Sequence, residues 1–132
     1  MSVAMRYLVD THVLIWAVAN TARLSATAKD ILSNPSYEFY FSAASIWEIA
    51  LKHSKHPLDI PLSAQDAKRE FLDAGFRELR IDSDAAATVS DLPFIHGDPF
   101  DRLLISQSRR SGMLFLTHDH LIEPYGENIM MV

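Results

Sequence analysis

The spacing of apolar and polar positions switches repeatedly between a strand-like and a helix-like period, and each switch marks an element. Arg6-Tyr7-Leu8-Val9-Asp10 is a short apolar run closed by an acid, which predicts a first strand. Thr11 to Asn20 follows with Val13, Leu14, Ile15, Trp16 and Val18, apolar nearly all round, and predicts a buried helix. Ser25 can cap a second helix that runs to about Asn34 and ends at Pro35. Tyr37 to Phe41 is aromatic-rich and reads as a strand, after which Ser42 caps a helix from Ala43 to about Lys55. His56 to Pro61, with two prolines, is a loop. Ser63 caps a helix through about Ala74, and Gly75 ends it. Phe76 to Ile81 alternates apolar and charged residues, as a strand near a sheet edge does, and Asp82 to Leu92 is a short alanine-rich helix.

Asp98-Pro99 starts the next helix, with a carboxylate at the N-cap and proline at the first helical position, where its missing N–H costs nothing. Leu103, Leu104 and Ile105 give that helix a buried face before Gly112 ends it. Met113 to Thr117 is a strand, a short helical turn follows, and Asn128 to Val132 is a last short strand. Strands alternating with helices predict an α/β fold: a three-layer α/β/α sandwich around a mostly parallel central sheet. No internal repeat, linker or low-complexity segment interrupts the chain, so residues 1–132 are expected to form a single domain.

Composition narrows the chemistry. At 132 residues and 48% hydrophobic, the chain can build a core without staples. It has no cysteine, which excludes a disulfide framework, a thiolate zinc site and a cysteine nucleophile together. A net charge of -5 excludes a basic nucleic-acid clamp, yet carboxylates that hold a divalent ion can still face phosphate through it. No apolar run approaches a membrane span, and Asp10 and His12 interrupt what could pass for a signal peptide, so a cytoplasmic protein is expected.

The acids then stand out by position. Asp10 ends the first strand, Glu48 lies on the helix after the second, Asp98 and Asp101 begin a later helix, and Asp119 lies just past the Leu114 strand. In open parallel sheets, sites form outside the carboxyl ends of the strands. Crowded carboxylates repel unless a proton or a cation joins them, and a hard ion such as Mg²⁺ prefers an all-oxygen shell. Ions so held activate water and steady the leaving oxygen of a phosphodiester.

Four blocks occur in order: Tyr7-Leu8-Val9-Asp10-Thr11-His12, Ser42 through Lys52, His96-Gly97-Asp98-Pro99-Phe100-Asp101-Arg102-Leu103-Leu104-Ile105, and Leu116-Thr117-His118-Asp119. Together they resemble the PIN-domain family, in particular its VapC-type toxins of bacterial toxin–antitoxin pairs. The resemblance implies a Mg²⁺- or Mn²⁺-dependent endoribonuclease that leaves a 3′-hydroxyl and a 5′-phosphate and is inhibited by a small antitoxin. Asp10, Glu48, Asp101 and Asp119 fall on the family's acidic quartet. Asp98 is an extra acid of the Asp-Pro-Phe-Asp-Arg variant and ranks below Asp101, which keeps the family's spacing to the apolar helix positions. His12 stands where many relatives carry asparagine.

Other residues near these acids have bland readings beside sharper ones. Thr11 reads as a helix cap that can also orient Asp10. Thr117 either reaches metal-held water or simply ends its strand. Lys52 either pairs with Glu48 as an ordinary exposed i,i+4 couple or supports it as a ligand. Arg102 contacts phosphate or pairs with a neighbouring acid. His96, His118 and His120 lack the spacing of a three-histidine metal set and read as surface polar residues. Trp16 and Trp47 read as core or subunit contacts, and Arg109-Arg110 as a solvated helix end. The apolar surface of the two Trp-bearing helices predicts a homodimer and an antitoxin segment laid across a groove. A receiver-type signalling domain fits the size and the acidic pocket less well, since Thr11 follows Asp10 and no lysine occurs after Lys68. A haloacid-dehalogenase-like phosphatase lacks its second aspartate, because His12 stands there. A non-catalytic module of the same fold has no need of the intact quartet.

Overall fold

A computed structural model describes residues 4–132; the first three residues, part of the stretch weighed above as a signal peptide, lie outside the described residues. Five strands, β1 (Arg6–Val9), β2 (Glu38–Ser42), β3 (Arg77–Leu79), β4 (Leu114–Thr117) and β5 (Ile129–Met131), form one sheet in the order β3-β2-β1-β4-β5. Every neighbouring pair is parallel. Among the described residues, six helices cover the sheet: α1 (Thr11–Ala19), α2 (Ala26–Leu32), α3 (Ala43–Lys52), α4 (Ala64–Asp73), α5 (Ser83–Thr88) and α6 (Pro99–Arg110). This is the three-layer α/β/α sandwich that the alternating pattern predicts. It also removes the receiver reading, whose sheet runs 2-1-3-4-5.

The strand pleat distributes the core over both faces. Tyr7 and Val9 of β1, Phe41 of β2 and Leu116 of β4 pack with Val13, Leu14 and Ile15 of α1 and Ala67 and Phe71 of α4. Leu8, Phe115 and Met113 face the opposite way, onto Leu104 and Ile105 of α6 and onto Ile122 and Tyr125. Each large side chain buried this way contributes about 1.5–3 kcal/mol over leaving it in water. Helix α3 serves both sides, with Ala44 in one cluster and Ile49 in the other.

The capping residues act where the pattern puts them. Ser25, Ser42, Ser63, Asp82 and Asp98 each accept an N–H at a helix start. Helix α3 ends at Lys52, sooner than the predicted Lys55. Past it, the His53 Nδ1 bonds the Ile60 carbonyl at 2.7 Å, and Ile60 is fully buried, so the chain must turn back into the core. The alanine-rich segment is likewise shorter: α5 stops at Thr88 and continues as a 3₁₀ turn, Val89–Asp91. Among the described residues, no helix is long and apolar enough to cross a membrane.

The order matters for function. The chain moves outward from β1 through β2 to β3, then returns to the other side of β1 for β4 and β5. The reversal leaves a crevice outside the carboxyl ends of β1 and β4, the topological switch point where open α/β sheets bind ligands.

Candidate active site

A cavity of about 360 Å³ opens at that crevice, lined by Asp10, Glu48, Asp98, Asp101 and Asp119 together with Lys52, His12, His96, His118, Val13 and Trp16. All five acids singled out in the sequence thus border one space. Asp10 is held most tightly. It follows β1 directly, takes an extended conformation, and caps α1 by accepting the Thr11 N–H on Oδ1 at 2.7 Å. The Thr117 hydroxyl donates to its Oδ2 at 2.7 Å. The register that sets Val9 beside Leu116 also sets Asp10 beside Thr117, and the Asp10 N–H continues the ladder onto the Leu116 carbonyl at 2.9 Å.

Glu48 projects from α3 and is 3% exposed. Its Oε2 pairs with Lys52 Nζ at 2.7 Å, whereas its Oε1 is buried and has no hydrogen-bond partner among the described residues. This is not the solvated i,i+4 couple of an ordinary helix surface. Asp101 sits in the first turn of α6, with its Oδ2 3.0 Å from His96 Nε2. The same nitrogen lies 3.5 Å from Asp119 Oδ2, while Asp119 Oδ1 accepts the Leu121 N–H at 2.9 Å. Asp98 spends Oδ1 on the α6 cap, taking the N–H groups of Phe100 and Asp101.

The electrostatics follow from burial and crowding. Burial pushes the Asp101 carboxyl up to about 9, and the charges of Asp10, Asp98, Glu48 and Asp119 add to the shift. Burial also raises Asp10, to about 6, with Glu48 contributing, against the lowering effect of the Thr117 and Thr11 bonds and of His12. Lys52 moves the other way from what its burial alone would do. The Glu48 hydrogen bond and charge, helped by Asp98 and Asp101, raise its pKa and keep it protonated. A concentration of buried carboxylate oxygens, one of them without a partner, matches the donor set of a hard divalent cation. The residues present therefore fit Mg²⁺ or Mn²⁺.

The family model for the PIN domain matches residues 7–127, nearly the whole chain. The chain belongs to the PIN-domain family. PIN domains are generally nucleases, so membership gives this chain a hydrolase role. Among solved structures, this PIN domain is similar to VapBC2 from Rickettsia felis bound to a DNA fragment from their promoter, at 14% identity and a TM-score of 0.67, covering 97% of this chain and 98% of that one. It is also similar to a toxin–antitoxin complex from Klebsiella pneumoniae, at 15% identity and a TM-score of 0.63, covering 95% and 96%. At these identities the likeness establishes the fold. No curated protein sequence matches the chain.

Four expectations are corrected or sharpened. Thr11 is not the cap of α1: Asp10 is, and Thr11, already the first helical residue, donates its hydroxyl to Ser45 Oγ at 2.8 Å. Thr117 does more than end its strand. Its Oγ1 is committed to Asp10 and also accepts the Asp119 N–H at 3.1 Å, so it ties two of the acids together. Arg102 meets neither phosphate nor acid. One residue beyond Asp101 is about 100° around the helix, which sends it behind the site. There it is buried and donates to the carbonyls of Pro93 and Val89 and to the Tyr125 hydroxyl, each within 3.1 Å. Trp47 is not core, which leaves its reading as a subunit contact: it is 57% exposed, its ring edge-on to Phe100 with centroids 5.0 Å apart.

His96 was missed. It reads as a surface residue in sequence, yet its imidazole sits between two acids inside the cavity. Its one sequence signal is its place in the loop that leads into the Asp98-Pro99 cap, where the chain must double back to start α6. His118 and His120 are exposed, as expected, although His118 borders the cavity and its ring meets Trp16 edge-on at 5.3 Å.

Proposed function

We propose that this PIN domain is a Mg²⁺- or Mn²⁺-dependent endoribonuclease and the toxin of a toxin–antitoxin pair. Asp10, Glu48, Asp101 and Asp119 are the residues that would hold the cation, with Asp98 contributing its second oxygen. The observation that carries the reading is the buried, partnerless Oε1 of Glu48, a residue that lines the carboxylate-rich cavity. Leaving a buried acceptor unmade costs about 1–3 kcal/mol, more if charged, unless a ligand satisfies it. When bound, the cation supplies a water of lowered pKa and charge stabilisation for hydrolysis of a phosphodiester.

The chain's own part is positioning. Thr117 and the Thr11 N–H fix both oxygens of Asp10, so its remaining lone pairs face the cavity. Lys52 holds Glu48 by one oxygen and leaves the other free. No side chain need act as a covalent nucleophile, and the products are a 3′-hydroxyl and a 5′-phosphate. The partners follow from the same reading. Trp47, Phe94 and Leu121 stay exposed on elements that border the cavity, which supports a homodimer and a small antitoxin seated across this rim.

The test is RNA cleavage by purified protein free of contaminating nuclease. Cleavage is expected with Mg²⁺ or Mn²⁺ and is expected to stop with EDTA; cleavage undiminished in EDTA defeats the mechanism. Co-expression with the product of an adjacent small gene is expected to relieve growth arrest. Two products that neither co-purify nor suppress each other would remove the antitoxin half.

A further inference from the structure

One nitrogen stands among the oxygens of the pocket. A ligand atom from each of His96, Asp101 and Asp119 lies within 4.8 Å of the others, with His96 Nε2 at 3.0 Å and 3.5 Å from the two carboxylates. Donors about 2.1 Å from a shared six-coordinate ion sit about 3 Å apart when adjacent. Glu48, whose buried Oε1 lacks a partner, lines the same cavity, an independent sign that the space is built for a cation.

The imidazole is also placed by dedicated structure. The Tyr125 hydroxyl accepts the N–H groups of Ile95 and His96, at 3.2 Å and 2.8 Å. Arg102 in turn donates to Tyr125 and to the Pro93 carbonyl, so a buried guanidinium clamps the whole loop from Pro93 to His96. The residue expected to meet phosphate or a neighbouring acid instead sets the position of the histidine. A surface residue would need no such bracing; a ligand needs its direction fixed by supporting groups.

We propose that His96 Nε2 is a direct ligand of the divalent cation, making a mixed nitrogen and oxygen site with Asp101 and Asp119, and that Arg102 and Tyr125 are its positioning residues. The inference rests on the cation-dependent reading above. Its consequence is selectivity. Mg²⁺ favours oxygen donors and keeps its waters, whereas an imidazole suits the first-row transition ions. The site therefore binds Mn²⁺ more tightly than Mg²⁺, and His96 is the cause.

Electron spin echo spectroscopy of Mn²⁺ bound to the full chain reads this directly. Wild type is expected to show ¹⁴N modulation from a coordinated imidazole, and His96→Ala is expected to lose it. The variant's Mn²⁺ affinity is expected to fall about tenfold, with a smaller change for Mg²⁺, both measured by titration calorimetry. Mn²⁺ that binds wild type without nitrogen modulation overturns the inference and leaves the cation-dependent reading standing; His96 is then only hydrogen-bonded to Asp101. Modulation that persists in His96→Ala, from His12 or His118, overturns it equally. The wild-type spectrum decides even if the variant fails to fold. Wild type that binds no divalent ion at all overturns both readings.

Discussion

The two ends of the sheet carry two hollows, and the larger is not the one with chemistry in it. At the amino ends of β1 and β4, a cleft of about 920 Å³ is bordered by Met5, Arg6, Arg109, Met113, Tyr125 and Asn128. Its guanidiniums are already engaged: Arg6 donates to the Ser111 carbonyl and Arg109 to the Tyr125 carbonyl. Those charges end a helix and pin a loop. At the carboxyl ends, the smaller cavity of about 360 Å³ gathers five acids, leaves one buried oxygen without a partner, and raises two carboxyl pKa values by burial and mutual repulsion. Volume reports only where the chain failed to fill space. Unmet polar groups report where something else is meant to enter.

The sharpest way to break the contrast is Asp101→Asn. The variant keeps the shape and removes one charge. RNA cleavage is expected to drop about 100-fold or more, since a displaced ion cannot position the attacking water. In EDTA the variant is expected to be at least as stable as wild type, because folding no longer has to bring a proton onto this buried, crowded carboxyl, and to gain less from Mn²⁺ in thermal melts. Lower stability in EDTA, with unchanged cleavage and metal response, would reduce Asp101 to a helix-start residue. Asp98→Asn, whose side chain can still cap α6, is expected to lose less on every measure.

Next comes the pH dependence of stability in EDTA. An unfolded aspartate titrates near 4, whereas folded Asp101 lies near 9 and Asp10 near 6. Between those values the folded chain holds protons that the unfolded chain does not, so stability falls as pH rises. Urea unfolding in EDTA is expected to show a decline from about pH 4 toward about pH 9, with the Asp10 share spent by about pH 6. Mn²⁺ is expected to flatten it. A profile that rises with pH across this range would mean the acids are paired and not crowded.

The smallest effect belongs to the opposite end of the sheet. Arg6→Gln removes the charged donor to the Ser111 carbonyl and is expected to cost at most about 1.5–3 kcal/mol in urea unfolding. Cleavage and Mn²⁺ affinity are expected to stay at wild-type values. A loss of cleavage comparable to that of Asp101→Asn would show that the two hollows are one functional system.

How much of this was legible in the sequence depended on the range of each interaction. Caps are local, so Ser25, Ser42, Ser63 and Asp98 could be read from their neighbours. The acids could be read as strand-end and helix-start residues. Their meeting in one cavity depends on strand order, which alternation alone leaves open. The misreadings concern partners far away in sequence. Arg102 is committed to Tyr125 and the loop from Val89, which displaces both of its readings, and Thr117 gains a bond to Asp10 that its own neighbours do not announce. His96 depends on Tyr125 for its place, a contact no spacing rule encodes.

The all-parallel sheet also sets when the pocket can exist. Parallel neighbours cannot be joined by a tight hairpin, so each pairing waits for a long crossover to close. Asp10 and Thr117, which fixes its carboxylate, lie 107 residues apart, so their contact waits for the crossovers between them. A nascent chain or a fragment that stops before β4 carries Asp10, Glu48 and Asp101 but cannot place them around one space. Whatever the pocket does, it is assembled only when β4 docks beside β1, and a fragment without β4 lacks the Thr117 and Asp119 that complete it.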